Sequence, residues 1–361
     1  MWGKFCPLGQ EMPNGGMHLQ DDLLSLLKAI APEQMDEIGR RAQVLTGIEN
    51  MQPVGRRALA ARLNLPEREV RAVAASLRDQ GLLQMDAAGM QLTRKAGEVI
   101  SGARDLSQAL FGLTKLERAL ESMLHIAHVT VVSGNADNDP QVLRDVGRAA
   151  AHRVHRLLQS GMTMAVTGGS TMREMAEGMQ SSIPMNVMVV PARGGMGADV
   201  DTQANTIAAD IANRIGGHYR VIHLPDSLNQ EALDGLRRLP EVEEVLELMQ
   251  RAELVVHGIG RADVMARQRG INAEIRELLS SRGAVGEAFG DFFNEKGETV
   301  YQMSTVFTGL GRLQVSAKMV AVAAGACKAE AIIASARHET HDSLITDEGA
   351  ASRIYALLGG R

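Results

Sequence analysis

From residue 129 onward, one pattern limits the fold more than any other. Short apolar or β-branched runs return at intervals, and most end in a glycine-bearing turn. They read "HVTVVSG", "MTMAVTGG", "MNVMVVPARGG", "YRVIHLP", "AELVVHGIG", "MVAVAAGACK" and "SLITDEG", with helical stretches between them. Such alternation predicts a parallel sheet covered by helices, a Rossmann-like α/β domain. Open sheets of this kind bind ligands beyond the carboxyl ends of their strands, which is where the glycine turns fall.

The turn in "AVTGGSTMREMAEGM" (165–179) carries the most chemistry. An apolar run leads into Thr167, Gly168, Gly169, Ser170 and Thr171, and a helix follows with Met172, Met175, Ala176 and Met179 on one face. Glycine lets the backbone approach a ligand, and the first turn of a helix presents N–H groups at its positive end. Two hydroxyls add donors, so the turn is suited to cradle a phosphate. Ser170 and Thr171 can equally be plain N-caps, with Glu174 as a capping-box partner. The turn matches neither G-x-x-x-x-G-K-[ST] nor G-x-G-x-x-G.

Four further turns sit at strand ends. Arg193 lies in "PARGG" (191–195), and Gly258 in "HGIG" (257–260) could offer a bare backbone N–H. Lys328 in "GACK" (325–328) opens a helix, and "TDEG" (346–349) caps the last one. Several such turns on one sheet edge, two of them with cations, predict a pocket for a phosphorylated, polar ligand. Glu287, in the glycine-flanked stretch "AVGEAFGDFF", is expected in a loop, accepting hydrogen bonds from sugar hydroxyls. No partner for general acid–base work is visible beside it, so no catalytic residue is assigned. His152, His155, His218, His223 and His257 lack metal-ligand spacing, and no metal or cofactor is expected. Arg267 and Arg269 place two more cations in the pocket-forming half.

With 361 residues, 45% of them hydrophobic, the chain can build two domains with sizeable cores. No apolar run approaches the ~18 residues of a membrane span. The first residues lack a signal-peptide apolar core, which predicts a cytoplasmic protein without membrane partners. Cys6 and Cys327 form no disulfide framework, which suits a reducing compartment. Residues 1–17 read as an extension, with Met17 an alternative start.

Charge is unevenly spread. Residues 53–95 hold eight Lys/Arg against four Asp/Glu, a net of +4; with −5 for the whole chain, the remainder stands at −9. A basic segment in an acidic protein points to a polyanion partner for that segment alone. Its pattern is helix, tight turn, helix, hairpin. Leu59, Ala60 and Leu63 stripe the first helix, and Pro66 suits N1 of the next. Val70, Val73, Ala74 and Leu77 face inward on the second helix, opposite Arg68, Arg71, Ala75 and Arg78. "LLQM" and "MQLT" make a hairpin turning through Asp86 to Gly89. This is a winged helix-turn-helix, and its expected partner is double-stranded operator DNA. Arg68 and Arg71 are the candidates for base edges, and Arg56, Arg57, Arg78 and Lys95 for phosphates. Winged modules also serve protein–protein contact. A helix over 34–48 is expected to pack beneath the module. Leu106, Leu110, Leu113, Leu116, Leu120 and Leu124 predict one linker helix, which could pair with a second copy or serve core packing.

The ordered motifs "QPVGRRALAARL", "VTGGSTM", "PARGGMGADV", "TQANTI", "VHGIG", "EAFGDFFN", "CKAEAI" and "TDEGAA" closely resemble the SorC family of sugar-responsive transcriptional regulators, over roughly residues 35–358. The resemblance implies an effector domain related to sugar-phosphate isomerases and deaminases. It also implies repression of central glycolytic genes, relieved by fructose-1,6-bisphosphate. By that likeness Gly168, Gly169, Ser170, Thr171 and Lys328 hold one phosphate, Arg193 and either Arg267 or Arg269 serve the other end, and Glu287 meets hydroxyls. The family's Gly-Gly-Ser-Ser run before the lysine is here Ala324, Gly325, Ala326 and Cys327, two hydroxyls fewer, and Ser170 replaces a threonine. The expected layout is an extension and first helix (1–33), a winged helix-turn-helix (34–104), a linker helix (105–125) and an effector and oligomerisation domain (126–361). Two winged heads on a pseudo-palindromic site need at least a dimer, and the resemblance implies tetramers. The competing class is a sugar-phosphate isomerase or deaminase with an appended regulatory domain.

Overall fold

The computed structural model describes residues 27, 30–63, 65–110, 113–181, 183–194, 199–222, 224, 230–236, 238–303 and 317–359. The expected extension over 1–17, Cys6, Gly195 and His223 lie outside the described residues. The chain divides into two compact units, Met1–Gly112 and Leu113–Arg361.

In the N-terminal unit the helix Pro32–Met51 buries Met35, Ala42, Val44, Leu45 and Ile48, while Ile38 is exposed. Its buried face joins Leu59 and Ala60 of the helix Arg56–Leu63 and Val70, Val73, Ala74 and Leu77 of the helix Glu67–Asp79 in one core. Pro66 is the residue before that last helix rather than its first. Strands β1 (Leu83–Met85) and β2 (Met90–Leu92) pair antiparallel through the expected hairpin. Asp86 Oδ1 accepts from the N–H groups of Ala88 and Gly89 at 2.8 and 3.1 Å, closing the turn. Gly89 has φ +136°, and a Cβ there would meet the backbone of Val54 at 2.9 Å. That contact is a third strand position: Val54 and Met90 exchange backbone hydrogen bonds of 3.1 and 2.8 Å. The sequence pattern gave no sign of it.

The expected linker helix (105–125) crosses residues 111 and 112, which lie outside the described residues. The leucine repeat is divided between the helices Ile100–Leu110 and Leu113–Leu124. The first is tied to Pro32–Met51 by Arg104 Nη2, which donates to both oxygens of Glu49 at 2.9 Å. The second buries Leu113, Leu120 and Leu124 with Val129, Val131 and Ile354 of the C-terminal unit.

The C-terminal unit is built on a seven-stranded parallel sheet. Its strands are β3 (His128–Val132), β4 (Thr163–Val166), β5 (Met188–Pro191), β6 (His218–Tyr219), β7 (Leu254–Gly258), β12 (Lys318–Val322) and β13 (Ser343–Asp347). Six follow the runs legible in the sequence, whereas β6 covers only two residues and shares just Tyr219 with "YRVIHLP". The order is β3-β13-β12-β7-β4-β5-β6. From β4 the chain winds outward through β5 and β6; it then returns to β7 and winds the other way through β12 and β13. The neighbours β4 and β7 therefore mark the topological switch point, where diverging loops open a crevice. Helices cover both faces. Val256 and Val166 pack into one core and Val255 and Ala165 into another, as period-2 alternation requires.

A second sheet was not foreseen. Strands β8 (Gly260–Arg261), β9 (Ala284–Ala288), β10 (Asp291–Asn294) and β11 (Thr299–Gln302) form an antiparallel sheet in the order β11-β10-β9-β8. Glu287 lies on β9, not in a loop. Its strand is glycine-interrupted because a Cβ at Gly286 would collide with the ring of Phe293.

Candidate functional site

At the switch point lies a cavity of about 620 Å3. The nine residues singled out for the effector all line it, from segments spread between residues 168 and 328: Gly168, Gly169, Ser170 and Thr171 after β4, Arg193 after β5, Gly258 at the end of β7, Arg269, Glu287 and Lys328. Arg267 does not; it pairs with Asp263 at 3.1 Å on the surface. Sequence reasoning missed Arg261 and Gln203, which also line the cavity. The signal for Arg261 was its place directly after the "HGIG" turn.

The 168–171 turn owes its shape to two different constraints. A Cβ at Gly168 would meet the carbonyl oxygen of Thr202 at 2.5 Å, and Gly169 has φ +120° and ψ 161°. Gly169 N–H donates to that same carbonyl at 2.8 Å. The helix Ser170–Gly178 then starts with Gly169 as N-cap and no side chain capping it. Neither Ser170 nor Thr171 serves as the cap; they occupy the first helical positions, Ser170 exposed and Thr171 buried. An uncapped helix start leaves backbone donors and the positive dipole end for an anion. Gly258 contributes differently from expectation, since its N–H is taken by Thr167 Oγ1 at 3.1 Å. That bond locks the β4 turn to the end of β7.

Across the cavity three charged side chains converge. Glu287 Oε1 accepts from Arg193 Nη1 at 2.8 Å, from Arg269 Nη2 at 2.8 Å and from Gly290 N–H at 2.6 Å. Their side chains are 4% (Glu287), 9% (Arg193) and 3% (Arg269) exposed, so the cluster is desolvated and carries a net +1. Burial alone would raise the Glu287 pKa; Arg269, Arg193 and the Gly290 N–H outweigh it and hold the carboxyl below its usual value. Lys328 precedes the helix Ala329–His338, and burial lowers its pKa against the opposing pull of Cys327, Asp137 and Asp347. On β7, His257 is fully buried and stacked on His341 at 5.1 Å, and burial depresses its pKa to about 3. His152, His155 and His218 are exposed. Among the described residues no group of three His, Cys, Asp or Glu is placed to hold a metal.

On the N-terminal unit Arg68, Arg71 and Arg78 are exposed on the helix Glu67–Asp79, on the side opposite its buried stripe. Arg57 and Arg71 flank Glu67 at 3.4 and 3.6 Å, and Arg78 lies 3.2 Å from Asp79. Arg56 is exposed in the first turn of its helix. Lys95 Nζ donates to the Gln80 carbonyl at 3.0 Å, closing the end of the recognition helix. The wing itself carries no Lys or Arg between Leu82 and Leu92.

A helix-turn-helix head and an α/β unit with an anion-suited crevice define a DNA-binding transcriptional regulator with a sugar-binding domain. Residues 37–107 match the family described as "CggR N-terminal DNA binding domain", and residues 108–356 the one described as "Putative sugar-binding domain". The chain belongs to the SorC family of transcriptional regulators. It is 39% identical to the central glycolytic genes regulator of Priestia megaterium and 36% to that of Bacillus subtilis, in each case over 92% of this chain and 98% of the relative. A SorC family transcriptional regulator from Enterococcus faecalis has a similar structure, at 39% identity and TM-score 0.62 over 66% of this chain and 99% of that one. The full-length sorbitol operon regulator SorC of Klebsiella pneumoniae shares the fold at 18% identity and TM-score 0.62, over 87% of this chain and 96% of that one.

Proposed function

We propose that this protein represses genes of central glycolysis and is released from its operator by fructose-1,6-bisphosphate. The name shared by two relatives supports the gene set. The observation that carries the effector is the cavity's charge layout. An uncapped helix start and Lys328 suit one phosphate, and the Arg193–Glu287–Arg269 cluster suits a second anionic group beside sugar hydroxyls. A carboxylate held ionised by two arginines is a poor proton acceptor at neutral pH, which favours binding over isomerase or deaminase chemistry.

Release follows from linkage. A ligand that prefers the arrangement with low operator affinity weakens DNA binding by the same factor by which DNA weakens the ligand. The acting form is a dimer or tetramer, with its heads on half-sites spaced by whole helical turns. No described helix is long and apolar enough to cross a membrane, in keeping with a cytoplasmic setting. Operator binding followed by fluorescence anisotropy, with fructose-1,6-bisphosphate, fructose-6-phosphate and glucosamine-6-phosphate added in turn, tests the proposal. The bisphosphate releases DNA at the lowest concentration. Turnover of glucosamine-6-phosphate, or indifference of the DNA complex to every sugar phosphate, sinks it.

A further inference from the structure

The turn 325–328 spends its own donors inside the protein. Gly325 N–H donates to both oxygens of Asp347 at 3.0 Å, Ala326 N–H to Asn135 Oδ1 at 3.3 Å and Cys327 N–H to Asp137 Oδ2 at 2.9 Å. The Cys327 thiol lies 2.9 Å from Asp137 Oδ1, and Ala326 has no polar side chain. Only the ammonium of Lys328 is left for a ligand, and it faces the charges of Asp137 and Asp347 as well. From this turn a phosphate dianion receives one cation, and a second would balance its charge beside the backbone donors of 168–171.

The fold brings one there. Arg261, at the end of β8, lines the cavity together with Cys327 and Lys328, and its guanidinium adjoins the Cys327 side chain. Asp263 grips it through Nε at 3.1 Å and Nη2 at 3.0 Å. A carboxylate paired with two nitrogens fixes the guanidinium plane, and Nη1 stays outside the pairing. Asp263 also accepts from Arg267 at 3.1 Å, so the three groups keep a net +1 rather than cancelling.

We propose that Arg261 binds the phosphate group at the Lys328 end of the cavity and that Asp263 is its positioning residue. The proposal rests on the sugar-phosphate reading of this site. It adds a contact where the backbone of the 325–328 turn cannot supply one.

Isothermal titration calorimetry with fructose-1,6-bisphosphate on the full chain, with inorganic phosphate as competitor, provides the test. Arg261→Gln weakens bisphosphate binding by about tenfold or more, the loss of a charge-assisted hydrogen bond. Arg261→Lys recovers part of that loss, since it restores the charge without the fork. Arg267→Gln, which loses the same Asp263 partner outside the cavity, stays within about twofold of wild type. Ligand-free melting midpoints for each variant separate a folding defect from a binding one, and Arg261→Lys serves if Arg261→Gln does not fold. Wild-type affinity in Arg261→Gln overturns the proposal alone. So does an equal loss in Arg267→Gln, because it would make the effect one of general charge. A wild-type protein that binds neither the bisphosphate nor fructose-6-phosphate overturns the sugar-phosphate reading itself, and this proposal with it.

Discussion

Two turns of the effector domain look alike in sequence and differ in what they can offer. Both follow a buried parallel strand, both contain a glycine with positive φ, both precede a helix, and both line the same cavity. At 168–171 the glycines serve shape, and the helix start remains uncapped. At 325–328 three consecutive backbone N–H groups are claimed by Asp347, Asn135 and Asp137. The first turn can grip an anion with its backbone, whereas the second must use side chains. A strand–glycine–helix junction is therefore an anion cradle only when hydrogen-bond accounting leaves it donors.

The largest consequence falls on Lys328. Lys328→Met removes the turn's only donor to the cavity and should lower bisphosphate affinity by about 100-fold, the upper range for a charge-assisted bond; calorimetry reads it directly. An effect below about threefold would erase the distinction between the turns.

Asp137→Ala attacks the same turn from behind. It frees the Cys327 N–H and removes a negative charge near Lys328. Stability should fall by about 1 kcal/mol, or about 2–4 °C in melting midpoint for a domain of this size. Bisphosphate affinity should rise severalfold, because the turn then resembles 168–171. A drop in affinity would mean that Asp137 serves the ligand rather than the turn.

Ser170→Ala tests the other side of the comparison. With backbone N–H groups supplying the grip, loss of one exposed hydroxyl should cost about 1 kcal/mol of binding or less. A loss as large as that of Lys328→Met would move the grip from backbone to side chain.

The smallest and most selective signature is in pH. Burial lowers the Lys328 pKa below 10.5, so the free protein loses this proton earlier than an exposed lysine would. Affinity is full while the ammonium is charged and falls as pH rises through the lowered value. The alkaline limb should be absent in Lys328→Met, because the backbone donors at 168–171 do not titrate. An identical limb in that variant would assign it to another group.

Much of this architecture is readable without coordinates. The inner strands of the parallel sheet follow the apolar runs, because a strand buried on both faces must be apolar over its length, whereas the edge strand β6 is the exposed pair His218–Tyr219. The recognition helix is equally plain, with Val70, Val73, Ala74 and Leu77 at helical spacing and the arginines opposite. In the leucine repeat, periodicity shows that residues are helical and apolar but not which core receives them. Leu113 and Leu120 go to the C-terminal unit while the preceding helix is anchored through Arg104 to Glu49. The antiparallel sheet was hidden because β8 and β9 carry glycine and the four-residue strands β10 and β11 begin and end on polar residues.

The sequence by itself determined the element types, the order of the two units and the set of turns at the ligand-binding edge, since hydrophobic period and turn chemistry act over neighbouring residues. Tertiary structure alone decided which donors stay available. Arg193 and Arg269 share one carboxylate 94 and 18 residues away, Gly258 gives its N–H to Thr167, and Arg261 comes to stand beside Cys327. Such choices depend on which groups the folded chain brings within about 3 Å of each other. No local pattern carries that information.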